Sequence, residues 1–172
     1  MIVKIASYLP KTTLTNDELV EELGKWTPDE VFNKTGIRQR VVAQRDETAL
    51  DMAEKAAQSL LHDIETDVRI DYILFCTQFP DYSFPPNATQ LQARLGLDSA
   101  LGAFDFNLAC SGFVYGLHLA ESLLLNPQIE NVLLVTADTY THHLHPKDYV
   151  SRPIFGDAAT ATLLSKIGSA KV

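Results

Sequence analysis

The stretch Gly102-Ala103-Phe104-Asp105-Phe106-Asn107-Leu108-Ala109-Cys110-Ser111-Gly112-Phe113 decides how this chain is read. Its first five residues make a short apolar strand, and Gly112 opens a helical pattern that runs to about Leu125. A strand passing straight into a helix is the building unit of a layered α/β domain. It leaves one thiol, Cys110, at the junction. The first turn of a helix offers unpaired N–H donors and the positive end of the helix dipole. A thiolate there is stabilised, which raises its nucleophilicity at neutral pH. Taken alone, an inert core thiol is still the commoner occupant of such a position.

The helix after Cys110 is apolar on nearly all sides, while Gly112, Gly116 and Ala120 permit close approach. That pattern predicts a helix buried between layers, with Cys110 at its base and reached only through a channel. Upstream, Ile2 to Ala6 reads as a strand. Thr15 and Glu18 form a capping box for a helix that Gly24 can end, and Thr27-Pro28 start a second one closed by Gly36. Ile37 to Val42 looks extended. Thr48 or Glu47 opens a longer helix through Leu61, and Ile70 to Cys76 is a nearly continuous apolar run typical of a buried strand. A proline-bearing loop and a helix from about Ala88 to Leu95 complete the approach to the junction. Beyond it come a buried strand at Val132 to Thr136, a loop with His142, His143 and His145, and a last strand at Ala158 to Leu164. Alternating strands and helices argue for a layered α/β domain.

The 172 residues, 46% of them hydrophobic, suffice for one compact domain or a substantial piece of a larger one. A net charge of −8 argues against a nucleic-acid surface and gives no reason to expect an anionic membrane. Lys34, Arg38, Arg40 and Arg45 either contact a phosphorylated ligand or form an ordinary solvated face. No signal-peptide pattern and no apolar segment of transmembrane length is present, and the two cysteines have no CxxC spacing. The expectation is a cytoplasmic, reducing location, with a Cys76–Cys110 disulfide neither required nor ruled out. The histidine loop lacks a regular ligand pattern, and no metal is expected.

Taken in order, the motifs resemble the N-terminal half of the β-ketoacyl-acyl-carrier-protein synthase III family, within the thiolase-like condensing enzymes. They are Ser7-Tyr8-Leu9-Pro10, Lys34-Thr35-Gly36-Ile37-Arg38, Phe84-Pro85, Leu95-Gly96, Phe104-Asp105, Ala109-Cys110-Ser111-Gly112-Phe113 and Phe155-Gly156-Asp157. The resemblance implies a thiolase-like α/β fold: a mixed β-sheet flanked by helices, with a buried nucleophile helix. It implies that Cys110 takes an acyl group from acyl-CoA for decarboxylative condensation with malonyl-carrier protein, in fatty-acid biosynthesis. Acyl-CoA is then a substrate, and no cofactor is expected. Phe84 matches the aromatic residue that closes the acyl pocket, often across a homodimer interface. Lys34 and Thr35 fall where the family contacts the CoA nucleotide. The family's adenine-stacking Trp lands on Glu30, with Trp26 four residues earlier, and its stacking Arg lands on Tyr149, with Arg152 close by.

The family's catalytic His and Asn belong to its second half, and no histidine here has their setting. The resemblance therefore places residues 1–172 as the N-terminal, nucleophile-bearing domain, with the C-terminal half absent and one side of the Cys110 helix uncovered. It implies that the chain alone takes an acyl group but does not complete condensation. Two other readings stand beside this one: a related condensing acyltransferase of secondary metabolism, and a non-catalytic thiolase-like partner domain.

Overall fold

The computed structural model describes residues 2–64 and 68–166. The first two helices are short. α1 (Asn16–Leu23) is capped by Thr15 with Glu18, and α2 (Pro28–Thr35) by Thr27 with Glu30; both are reciprocal capping boxes. Gly24 and Gly36 end them with φ of 65° and 73°, a left-handed turn that costs glycine no Cβ clash. α3 (Ala49–Asp63) uses Thr48 as its cap and Asp51 as the reciprocal partner.

The main sheet has five strands: β1 (Ile2–Tyr8), β4 (Tyr72–Cys76), β5 (Gly102–Phe106), β6 (Asn131–Asp138) and β7 (Ala158–Ser165). Their order is β1-β7-β6-β4-β5. β4 lies parallel to β5 and β6, while β7 is antiparallel to both β6 and β1, so the sheet is mixed. A separate ribbon pairs β2 (Thr12–Thr15) with β3 (Gln39–Val42). The sequence pattern hides β2, because Thr12-Thr13-Leu14-Thr15 has no apolar run and only its partner defines it.

Side chains alternate across the sheet, as period-2 strands require. Ile73, Phe75, Leu133 and Val135 face α3 and α4 (Asn87–Arg94), where Leu50, Met52, Leu60 and Leu91 complete the larger core. Leu74, Val132 and Leu134 face the other way, onto Ala120 and Leu124 of α5 (Gly112–Leu124). The chain thus crosses from β4 to β5 over one face through α4, and from β5 to β6 over the other through α5. The carboxyl ends of β4, β5 and β6 meet where these crossovers diverge, the usual place for a site in such a sheet. No helix among the described residues is long and apolar enough to cross a membrane.

Candidate active site

β5 ends at Phe106, which pairs with Cys76 at the end of β4. The chain then turns through Asn107 and Leu108 into a single 3-10 turn, Ala109–Ser111, before α5 begins. Asn107 Oδ1 accepts from the Ala109 N–H at 3.3 Å, while the Ser111 N–H and hydroxyl donate to the Leu108 carbonyl at 3.1 and 2.8 Å. Ala109 sits at φ +47°, a left-handed conformation that costs a residue with a Cβ about 1–2 kcal/mol. This turn carries Cys110 off the sheet, and Cys110 is exposed. The expected channel is not found among the described residues. α5 packs on the sheet along one side, through Gly112, Gly116, Ala120 and Leu124, and Val114 and Tyr115 on its other side are exposed. α5 is therefore half-covered rather than buried all round.

The base of α5 is held by close contact. A Cβ on Gly112 would lie 2.3 Å from Cys76 Sγ, and one on Gly116 would lie 2.6 Å from a Leu134 methyl. Only glycine lets the helix approach this far. Burial pushes the Cys76 thiol up, the Leu108 N–H directed at its sulfur pulls it back, and Asp138 pushes it up again. The two thiols therefore differ in kind: Cys76 is a buried support beneath the turn, and Cys110 is the accessible one. Asp138 in turn accepts from Thr77 Oγ1 at 3.0 Å and from the Gln78 N–H at 2.7 Å, fixing the loop that leaves β4.

Two further carboxylates organise this end of the sheet. Asp105 accepts from the Asn87 and Ala88 N–H groups, both at 2.7 Å, and so supplies the cap that Pro86 cannot give α4. Asp157 is buried and accepts from the Ala43 N–H at 2.8 Å, the Thr141 N–H at 2.9 Å and the Thr141 hydroxyl at 2.5 Å. These bonds tie the end of β3 to the loop after β6 and give Asp157 a structural role.

A second place gathers most of the residues expected to meet a nucleotide. Trp26, Lys34, Thr35 and Tyr149 line one pocket of about 270 Å³, over an apolar floor that includes Val31 and Pro153. Trp26 lies between α1 and α2 at φ +71°. Lys34 Nζ stands 4.6 Å from the Trp26 ring, and Lys25, which no motif singles out, stands 3.5 Å from the Tyr149 ring. Glu30, at the family's stacking position, is occupied elsewhere: its carboxylate accepts from the Thr27 N–H at 2.7 Å. Thr35 is engaged locally, donating to the Val31 carbonyl at 2.8 Å. Arg152 does not line this pocket. It pairs with the Glu22 carboxylate and donates to the Pro146 carbonyl at 2.7 Å, while Lys147 donates to the Glu22 carbonyl at 2.6 Å. These tethers hold the loop bearing Tyr149 against the end of α1, beside Trp26.

Phe84 is 84% exposed, at the tip of the loop after β4 and before a cis Phe84-Pro85 bond. The histidine loop has structural partners: His143 stacks on Phe79 at 3.8 Å, His142 Nε2 lies 3.2 Å from the Ala43 carbonyl, and His145 Nδ1 accepts from the Lys147 N–H at 3.1 Å. No group of three potential metal ligands occurs among the described residues.

Comparison with known proteins agrees with this geometry. Residues 104–172 match the family model of 3-oxoacyl-[acyl-carrier-protein] synthase III. The chain is 39% identical over 169 residues to the β-ketoacyl-[acyl-carrier-protein] synthase III of Ehrlichia canis, covering 96% of this chain and 51% of that protein. It superimposes on a crystal structure of a 3-oxoacyl-(acyl-carrier-protein) synthase III with a TM-score of 0.92 at 44% identity, over 99% of this chain and 51% of the other. The synthase III of Pseudomonas aeruginosa gives a TM-score of 0.88 at 38% identity, over 99% and 52%. The chain spans about half the length of the relatives it matches. With its fold, its motif order and these likenesses taken together, the chain resembles one half of the 3-oxoacyl-[acyl-carrier-protein] synthase III proteins that it matches.

Proposed function

We propose that this chain carries the acyl-accepting part of a synthase III reaction in fatty-acid biosynthesis, with Cys110 as nucleophile. The Cys110 thiolate attacks the thioester carbonyl of acyl-CoA. A tetrahedral oxyanion forms against the Cys110 N–H, then collapses to a new thioester while CoA leaves as its thiolate and takes up a proton. The acyl group is next attacked by the carbanion of decarboxylating malonyl-carrier protein. We assign the groups for that second step, and the cover over the open side of α5, to the remaining half of a full-length synthase. Trp26, Tyr149, Lys34 and Thr35 form the place for the nucleotide end of CoA, and the exposed Phe84 is offered to a second copy in a homodimer. The observation that carries the reading is an exposed thiol at the carboxyl ends of parallel strands, on a strained turn that opens α5.

Intact-mass measurement after incubation with a series of acyl-CoAs tests it. One acyl group is expected per chain, absent in Cys110→Ser and retained in Cys76→Ala. An adduct that survives Cys110→Ser, or none at all with any acyl-CoA, ends the proposal. Incubation with malonyl-carrier protein as well is expected to give no β-ketoacyl product from this chain alone.

A further inference from the structure

Arg40 is 6% exposed, so it is no part of a solvated face, and each of its bonded acceptors is a neutral oxygen. Nη1 donates to the Leu14 carbonyl at 3.1 Å. Nη2 donates to Asn16 Oδ1 at 2.7 Å and to the Pro153 carbonyl at 3.2 Å. Asn16, buried as well, carries the link onward: its Nδ2 donates to the Ile37 carbonyl at 2.8 Å and to the Pro28 carbonyl at 3.4 Å. Pro28 opens α2, and Ile37 follows the glycine that ends it. α2 supplies Val31, Lys34 and Thr35 to one wall of the pocket around Trp26, while Tyr149, Pro153 and Ile154 belong to the other. One guanidinium nitrogen thus joins a carbonyl of one wall to the asparagine that holds both ends of the other.

We propose that Arg40 is a positioning residue for acyl transfer: it fixes the spacing of the two pocket walls that hold the nucleotide end of acyl-CoA, and so sets how that substrate presents its thioester to Cys110. The inference rests on the reading of this pocket given in the proposed function. Burying a charge against neutral acceptors is costly, and an apolar side chain of similar volume often packs as stably. What the guanidinium adds is a planar fork that reaches Leu14, Asn16 and Pro153 at once, in fixed directions. The surface tethers from Lys147 and Arg152 fasten the second wall to Glu22 on α1, whereas the Arg40 link runs through Asn16 to α2. The strand behind Arg40 is itself fixed: the Asp157 N–H donates to the Val41 carbonyl at 3.0 Å, and a Cβ on Gly156 would lie 2.8 Å from that carbonyl. Binding energy from the remote end of a substrate helps hold its reacting end in attack geometry, so a change in wall spacing is felt at Cys110 without touching it.

Acylation of Cys110 is timed by intact mass with two substrates: acyl-CoA, and the acyl thioester of N-acetylcysteamine, which has no nucleotide. Arg40→Lys keeps the charge and loses the fork. It is expected to raise the half-saturating acyl-CoA concentration about tenfold, the worth of one hydrogen bond to a charged group, with the limiting rate unchanged. Its rate with the N-acetylcysteamine thioester is expected to match the parent. Asn16→Ala cuts the link at its other end and is expected to give the same pattern, with the double variant no worse than either single one. If Arg40→Lys does not fold, Asn16→Ala decides by the same comparison. Equal slowing with both substrates, or an unchanged half-saturating acyl-CoA concentration, overturns the proposal. A parent that prefers acyl-CoA, with Arg40→Lys keeping that preference in full, removes this inference alone. No preference in the parent removes the reading of the pocket, and this inference with it. If neither substrate acylates the chain, the nucleophile reading ends, and quenching of Trp26, the sole tryptophan, by coenzyme A scores Arg40 instead. Binding about tenfold weaker in Arg40→Lys then supports its role, and equal binding overturns it.

Discussion

Asp105 and Asp51 are both helix-capping carboxylates, yet they respond to pH in opposite ways. Burial pushes Asp105 above the usual carboxylate range, the Ala88 and Asn87 N–H groups pull it back, and the charge of Asp81 pushes it up again; the net is upward. Asp51 is also pushed up by burial, but bonds from the Thr48 N–H, Arg94 and the Thr48 hydroxyl outweigh that, and the net is downward. A folded carboxyl raised above its unfolded value holds protons that the unfolded chain has released. Its contribution is therefore present at low pH and is lost as pH rises through the folded value. A lowered carboxyl behaves the other way, contributing above its unfolded value, near 4, and losing that contribution as pH falls. Urea midpoints measured from pH 7 to pH 3 are expected to fall less steeply below about pH 4 in Asp51→Asn than in the parent. In Asp105→Asn the decline is expected to steepen, because a group that gains on acidification is gone. Profiles parallel to the parent in both variants would remove this account.

At the scale of elements, the seam between α5 and the sheet sets how close the Cys110 turn comes to β4. Gly112→Ala gains about 1 kcal/mol of helix propensity but drives a methyl into Cys76 Sγ, an overpacking that costs about 1–3 kcal/mol. The single variant is expected to lose up to about 2 kcal/mol in chemical denaturation. In a Cys76→Ala background the same change should be neutral to stabilising by about 1 kcal/mol, because the obstructing sulfur is absent. A coupling energy near zero in that double-mutant cycle would show that the contact does not set the helix position. This seam is legible in the sequence, since Gly112, Gly116 and Ala120 fall on one side of an otherwise apolar helix. The caps at Thr15 and Thr27 are equally legible, being local. The pocket around Trp26 is not. Trp26 has no periodic partner and sits on a left-handed backbone, and Tyr149 reaches the same pocket on a loop that Lys147 and Arg152 tie to Glu22. Arg152, three residues after Tyr149, ties this loop to Glu22 and does not line the pocket. Glu30, where the resemblance would put a stacking aromatic residue, caps α2 instead, and Trp26, four residues earlier, lines the pocket.

Across the whole molecule, the two faces of the sheet are covered unequally. α3 and α4 close one face, with Leu50, Met52, Leu60 and Leu91 fully buried. The single helix α5 lies on the other, and its outer side shows Val114 at 66% and Tyr115 at 54% exposure, with Leu125 at 84% at its end and Leu108 at 42% before its start. Leu108, Val114 and Tyr115 lie near the open Cys110 turn in the chain, and Leu125 extends the exposed apolar surface to the far end of α5. Fully burying one such side chain is worth about 1.5–3 kcal/mol, so a surface presenting several of them on one helix side favours association. Sedimentation velocity over a range of concentrations is expected to show the 172-residue chain self-associating, with higher salt failing to dissolve the complex because the contact is apolar. Val114→Lys with Tyr115→Lys is expected to shift it to the monomer while leaving the far-UV circular dichroism unchanged, since neither side chain is part of the packed seam. Iodoacetamide labelling of Cys110 should quicken in that variant, as the association that shields the turn is lost. A parent chain that stays monomeric up to hundreds of micromolar, with Cys110 labelled at the same rate in both proteins, would mean that the outer side of α5 is stable in water as it stands.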